Sequence, residues 1–184
     1  MPLPPDYLNA LELLGRAFEL YRDRTGTAAV LVGGAAAAIY TAGQFPSGDF
    51  DVVAPMDAAF EAAMVAQGFQ REDCPGHRLG GFYHPDCPAY GFQQVSGPLF
   101  DGRADAGRLL RVEVTPKSAV VLPSIEDMIA DRLGQHAAAP ASDDSRLLQA
   151  RALFGVAENP DIEYLSRRIR EEGGDPTLLG FSDA

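Results

Sequence analysis

The sequence predicts an α+β fold with a helical tail, and three observations predict it. Helix-like and strand-like periods alternate from residue 7 to residue 67. An aromatic, glycine-rich and turn-rich stretch of strand character then runs between Phe69 and Val121. After Pro123 only helical texture remains. The division expected from this order is an α/β core at 1–121 and a helical segment at 122–184 packed on it, the two forming one compact unit.

Taken in order, residues 7–24 repeat Leu8, Leu11, Leu14, Phe18 and Tyr21 close to a 3.6-residue period, an amphipathic helix ending before Thr25-Gly26. Ala28–Val32 is a short apolar run stopped by Gly33-Gly34, the pattern of a buried strand running into a tight turn. Ala35–Ala42 favours helix, with Gly43 as its stop. Phe50–Val53 reads as a second strand, and Met56–Gln67 as a helix closed by Gly68. Further strands are expected around Leu79–His84, Tyr90–Val95 and Leu109–Val114, with a turn near Gly97-Pro98 and a loop at Asp101–Gly107. Ser124 with Asp127 forms a capping box for a helix over 124–138, whose apolar face is Ile125, Met128, Ile129 and Leu133. Helices at Ser142–Val156 and Asp161–Glu172 complete the tail.

Composition narrows the class of function. Among 184 residues, 46% are hydrophobic and 22% charged, ordinary values for a globular chain. At this length folding buries roughly 70% of the unfolded chain's surface, so no disulfide or metal staple is needed. No apolar run approaches the ~20 residues of a membrane span. The first residues lack the basic and apolar regions of a secretory signal, so a cytoplasmic location is expected. Fifteen Lys+Arg against 26 Asp+Glu give a net charge of −11, which argues against nucleic-acid binding, since that rests on neutralising phosphates. Two cysteines in such a chain do not make a disulfide scaffold.

The stretch that carries chemistry is Val30 to Val53. Residues i and i+2 of a strand share a face, so Asp49 and Asp51 project side by side while Phe50 points the other way. Adjacent carboxylates repel unless a positive charge sits between them. A hard, oxygen-preferring cation, Mg²⁺ above all, is the natural occupant and leaves positions open for substrate phosphates. Gly33 and Gly34 supply the complement, because a bare backbone at a helix start lets N–H groups approach an anion where the helix dipole favours it. Each piece alone is weak, for Asp-x-Asp also reads as a solvated turn and a glycine pair as a mere tight turn. In this order and separation they describe a site for a metal-bound nucleoside triphosphate.

Val30-Leu-Val-Gly-Gly-Ala-Ala-Ala-Ala-Ile-Tyr followed by Ser47-Gly-Asp-Phe-Asp-Val-Val resembles the signature of the polymerase-beta-type nucleotidyltransferase superfamily. Softer likeness, over most of residues 10–180, is to its small bacterial branches, the AbiEii-type toxins and related proteins. It includes Gly68-Phe69, His84-Pro85-Asp86, Gly97-Pro98-Leu99, Asp131-Arg132-Leu133 and the Gln149-Ala150 helix. The resemblance implies a nucleotidyltransferase-like mixed sheet with helices packed on it. It also implies a transferase that moves a nucleoside monophosphate from a nucleoside triphosphate to an acceptor, in a toxin–antitoxin or defence setting. Asp49 and Asp51 would hold Mg²⁺, Gly33 and Gly34 would contact the triphosphate, and Ser47 matches a small hydroxyl residue two positions before the first aspartate. Cationic help would come from Arg132, Lys117 or Arg111, although Arg132 beside Asp131 equally suits a structural ion pair. A third carboxylate normally completes such a site. Gln93 stands where alignment on Gly97-Pro98-Leu99 expects it and cannot act as a base, so Glu113 is the favoured alternative, with a solvent-facing glutamate as the bland one.

Cys74, His77, His84 and Cys87 compete for attention. Both cysteines and two of the three histidines fall within 14 residues, a permitted tetrahedral zinc set, against which stand two reduced thiols and two surface histidines on a loop. His136 near a helix end needs no role beyond the helix dipole. Phe82, Tyr83, Tyr90 and Phe92 alternate as core aromatics rather than as a base-stacking platform. Three functions therefore stay open. They are a Mg²⁺-dependent nucleotidyltransferase acting on a protein, an RNA end or a small molecule; a catalytically weak relative that serves as a protein-binding partner; and a small zinc-stabilised domain.

Overall fold

The computed structural model describes residues 3–72 and 81–181. Its elements run α1 (Pro5–Thr25), β1 (Val30–Val32), α2 (Gly33–Tyr40), β2 (Asp49–Val53), α3 (Asp57–Ala66), β3 (Gln70–Glu72), β4 (Gly81–Tyr83), β5 (Gly91–Val95), β6 (Leu110–Thr115), β7 (Ser118–Leu122), α4 (Ile125–Ala138), α5 (Ser145–Val156) and α6 (Ile162–Glu171). Five strands form one sheet in the order β1-β2-β5-β4-β3, and β6 with β7 form a separate two-stranded sheet. Among the described residues only the β2–β5 pair is parallel, so the main sheet is mixed and the chain is α+β as expected.

Register divides the central strands into two faces. Phe50 pairs with Phe92 and their rings stack 4.9 Å apart, with Tyr7 of α1 also 4.9 Å from Phe50 and Phe69 4.8 Å from Phe92. Burial of these rings drives α1 onto this face, where Leu11, Leu14, Phe18 and Tyr21 are also buried. Asp49, Asp51 and Gln93 therefore occupy the opposite face. The split follows from the period of two read in the sequence.

The helical tail closes over that opposite face and is fastened by polar contacts. Ser124 Oγ accepts from the Asp127 N–H at 3.1 Å and donates to Asp127 Oδ2 at 2.9 Å, the capping contact expected for α4. The Tyr40 hydroxyl at the end of α2 donates to the Pro123 carbonyl at 2.7 Å, tying the glycine-led helix to the start of α4. Arg168 of α6, fully buried, donates from Nε to Asp127 Oδ1 at 2.7 Å, and Tyr164 donates to the same carboxylate. Buried charge of this kind survives only because every member is paired.

Three elements differ from expectation, the first being β3, a strand whose three residues Gln70–Glu72 are exposed and polar and so carry no apolar signal. Ser118–Leu122 is a strand, because a run buried at four of its five positions carries no alternation that would announce it. The segment read as the loop Asp101–Gly107 holds two short 3-10 turns, at Leu99–Gly102 and Ala106–Arg108. Phe100 and Asp101 sit there at φ of 46° and 55°, left-handed backbone unusual for residues with side chains. No helix among the described residues is long and apolar enough to cross a membrane.

Candidate active site

A cavity of about 700 Å³ opens between the polar face of the sheet and the helical tail. Its floor carries Asp49 and Asp51 of β2, its corner Gly33 and Gly34, and its far wall Arg132 of α4 and Arg146 of α5. The structure thus brings together six candidate site residues singled out in the sequence, Ser47 among them, and adds Arg146. What assembles them is local. β2 aims its odd residues into the cavity, and α2 begins where β1 stops.

Gly33 has φ +69°, and a Cβ there would lie 2.5 Å from Asp51 Oδ2. Glycine is therefore required twice over, by its backbone and by the carboxylate pressed against it. Gly91 on β5 plays the same part for the other acid, since its Cβ would lie 2.8 Å from Asp49 Oδ1. Among the described residues no side chain caps the N-terminus of α2, which leaves its first N–H groups available to an anion. Ser47 accepts from the Asp49 N–H at 3.3 Å and donates to the Asp49 carbonyl at 2.9 Å, bracing the turn that enters β2.

Electrostatics mark Asp51 as uncomfortable. Burial raises its carboxyl above the ordinary range and Asp49 raises it further, while Arg132 and Arg146 pull it down and Asp131 pushes it up again. A carboxylate held at a cost beside a second one is the environment that a divalent cation relieves. Arg132 is only 3% exposed; its Nε donates to Asp131 Oδ2 at 2.9 Å and its Nη1 reaches Gln149 Oε1 at 3.4 Å. Both roles weighed for it coexist, because it is an ion-paired arginine that also lines the cavity. Arg146, half-buried, donates through Nε to Gln135 Oε1 at 3.1 Å. Sequence reasoning missed Arg146; its place one turn before Gln149, in a chain poor in cations, was the available signal.

Other candidates fall elsewhere. Glu113 requires a correction: it lies on β6 in the two-stranded sheet, its side chain 72% exposed and paired with Arg111 at 3.1 Å, and it is not brought to the cavity. Alternation within a strand was read properly there, but nothing local reveals which sheet a strand joins. Arg111 spans Glu113 and Glu19 of α1, and Lys117 is exposed in the β6–β7 turn, so neither lines the cavity. Gln93 is the residue in register with Asp51 across the parallel pair.

Of the zinc set, Cys74 and His77 lie outside the described residues. His84 is buried and both its ring nitrogens are engaged: Nδ1 accepts from the Asp86 N–H at 3.1 Å, which leaves Nε2 to donate to the Gln67 carbonyl at 3.2 Å. Cys87 is buried, and burial pushes its thiol up to about 11. Neither is presented as a ligand, and among the described residues no group of three His, Cys, Asp or Glu is placed to hold a metal. Zinc is not supported.

No protein-family model matches the sequence, and no match emerges among curated proteins. Solved structures do match. An antigenic nucleotidyltransferase-like protein from Paracoccidioides brasiliensis aligns with a TM-score of 0.60 at 14% identity, over 93% of this chain and 89% of that one. ANT(2'')-Ia in complex with adenylyl-2''-tobramycin aligns with a TM-score of 0.59, also at 14% identity, over 90% of this chain and 99% of that one. A solution structure of the same antibiotic-resistance factor gives 0.57 over 89% and 90%. At such identity the likeness speaks to fold and does not single out the AbiEii-type branch. Joined to the mixed sheet and its helical tail, these likenesses show that the chain has a nucleotidyltransferase-like fold.

Proposed function

We propose that the chain is a nucleotidyltransferase that passes a nucleoside monophosphate from a nucleoside triphosphate to a hydroxyl-bearing acceptor. The observation that carries this reading is the convergence of Asp49, Asp51 and the uncapped start of α2 on one cavity beneath Arg132 and Arg146. The donor set fits a divalent cation of the Mg²⁺ type, since two hard carboxylate oxygens share a face and the inner one is raised by burial and by its neighbour. When bound, such a cation neutralises phosphate charge and aligns the reacting groups. Asp49 and Asp51 would hold it. The N–H groups of Gly33 and Gly34 would receive phosphate oxygens, and Arg146, whose guanidinium is held only through Nε in the contacts above, would reach the triphosphate from the opposite wall.

In the transfer the acceptor hydroxyl oxygen bonds to the α-phosphorus, the bond to the bridging oxygen breaks, pyrophosphate leaves and the hydroxyl proton passes to water. ANT(2'')-Ia, whose structure holds adenylyl-2''-tobramycin, makes a small polyhydroxylated molecule a reasonable acceptor to test first. A second reading, a module that binds nucleotide and turns it over poorly, is favoured by the neutral Gln93 beside Asp51.

Incubation with Mg²⁺ and each α-labelled nucleoside triphosphate, with and without a panel of small hydroxylated acceptors, separates the two. Release of pyrophosphate with transfer of label, lost in Asp49→Ala, is the expected result. Thermal stabilisation by nucleotide without turnover establishes the second reading, and no response to any nucleotide in Mg²⁺ sinks both.

A further inference from the structure

We infer that Gln93 makes this a site for one divalent cation, where an acidic residue at that position would make it a site for two. The inference rests on the nucleotide site proposed above and goes beyond it. It begins from register. Asp51 pairs with Gln93 on one side and with Val32 on the other, and Asp49 pairs with Gly91. Stacked Phe50 and Phe92 show that the two parallel strands present matching faces, so Gln93 stands beside Asp51 on the same face of the sheet. Gln93 is exposed there, while Gln94 is buried and donates to the Ala54 carbonyl and to Asp57. Every in-register neighbour of the acidic pair is thus neutral.

Charge then limits occupancy. Two carboxylates match the charge of one divalent ion. A second, about 3.5–4 Å away in sites that use a metal pair, needs hard anionic donors of its own. An amide oxygen is a neutral and weaker donor. The remaining acids of the cavity are already committed. Asp131 is bound to Arg132, and Glu172 accepts from Arg168 Nη2 at 2.7 Å and from Arg103 Nη1 at 3.4 Å. Asp101 is 79% exposed on its left-handed turn and faces Arg103 at 3.8 Å. Among the described residues no third acid, cysteine or histidine joins the pair to form a metal group.

The test counts ions and does not depend on turnover. The full chain is dialysed to equilibrium against Mn²⁺ together with the α,β-methylene analogues of ATP, GTP, CTP and UTP in turn, which cannot donate a nucleotidyl group. Bound Mn²⁺ is read by electron paramagnetic resonance. Wild-type chain is expected to retain one Mn²⁺ with the analogue that binds, Gln93→Ala the same, and Gln93→Glu two, a twofold rise. Two Mn²⁺ in the wild type overturns the inference and leaves the nucleotide site standing. One in Gln93→Glu also overturns it, because Gln93 would then not set the count. No bound Mn²⁺ with any analogue removes both this inference and the function on which it rests. Thermal melts confirm that the variants, altered only at an exposed side chain, remain folded.

Discussion

Asp51 carries the chemical tension of the molecule. Its folded carboxyl titrates above the ordinary range, first because of burial and second because of Asp49. The native chain then binds more protons than the unfolded one, so without a cation this residue's contribution to stability is full below the unfolded pKa and is lost as pH rises through the folded one. Near neutral pH the group is therefore a cost that folding bears for the sake of the site. Asp51→Asn is expected to stabilise the cation-free chain near neutral pH, by at most about 1 kcal/mol because solvent screens a partly exposed carboxylate, read as a higher melting midpoint. The same substitution should abolish the further stabilisation given by Mg²⁺ with nucleotide. A variant that melts no higher than the parent would show that Arg132 and Arg146 already balance the carboxylate. The pairing of Asp49 with Asp51 was legible in the sequence because a period of two is a local property. The neutral neighbour was legible only as an equivocal position, because register between β2 and β5 joins residues about 40 apart.

At the scale of elements, α4 is the beam that carries Arg132 to the cavity, and its seat is a buried polar knot. Asp127 on α4 accepts from Ser124, Tyr164 and Arg168, and Arg168 further donates to Glu171 and Glu172 of the tail. Arg168→Leu leaves Asp127 buried without its cation and is expected to cost about 3–5 kcal/mol, measured by urea unfolding. Adding Asp127→Asn should recover part of the loss, since an amide tolerates burial better than an unpaired carboxylate. A single variant that unfolds at the parental urea midpoint would show that the knot contributes nothing to the seating of α4 and α6. The helices themselves were readable, because α1 and α4 announce their apolar faces and the Ser124 cap marks a boundary. The knot was not. Nothing in one dimension pairs Asp127 with a residue 41 positions away, and only the packing of α6 on α4 turns Arg168 inward to meet it. β7 escaped for the opposite reason: a strand buried along most of its length has no polar beat, and its hydrogen-bonded partner β6, which carries the favoured third acid Glu113, belongs to another sheet.

Across the whole molecule the charge of −11 and the chemistry of the cavity pull in opposite directions. A nucleoside triphosphate is anionic even with its cation, so the field of the protein repels the ligand that Arg132, Arg146 and the α2 N-terminus attract at short range. The two effects separate by distance. At about 0.01 M salt the screening length is about 30 Å, long enough for the whole surface to act, whereas at about 0.1 M it is about 10 Å and leaves mainly the cavity groups. Arg132 is moreover committed to Asp131, which weakens the local attraction further. Raising KCl over this range is therefore expected to speed the association of a fluorescent nucleoside triphosphate in constant Mg²⁺, a trend opposite to that of a basic phosphate-binding surface. Stopped-flow fluorescence at several salt concentrations checks it. An association rate that falls with KCl would show that the field at the cavity mouth is positive, and that Arg146 and the glycine-led helix prevail over the acidic surface even at long range.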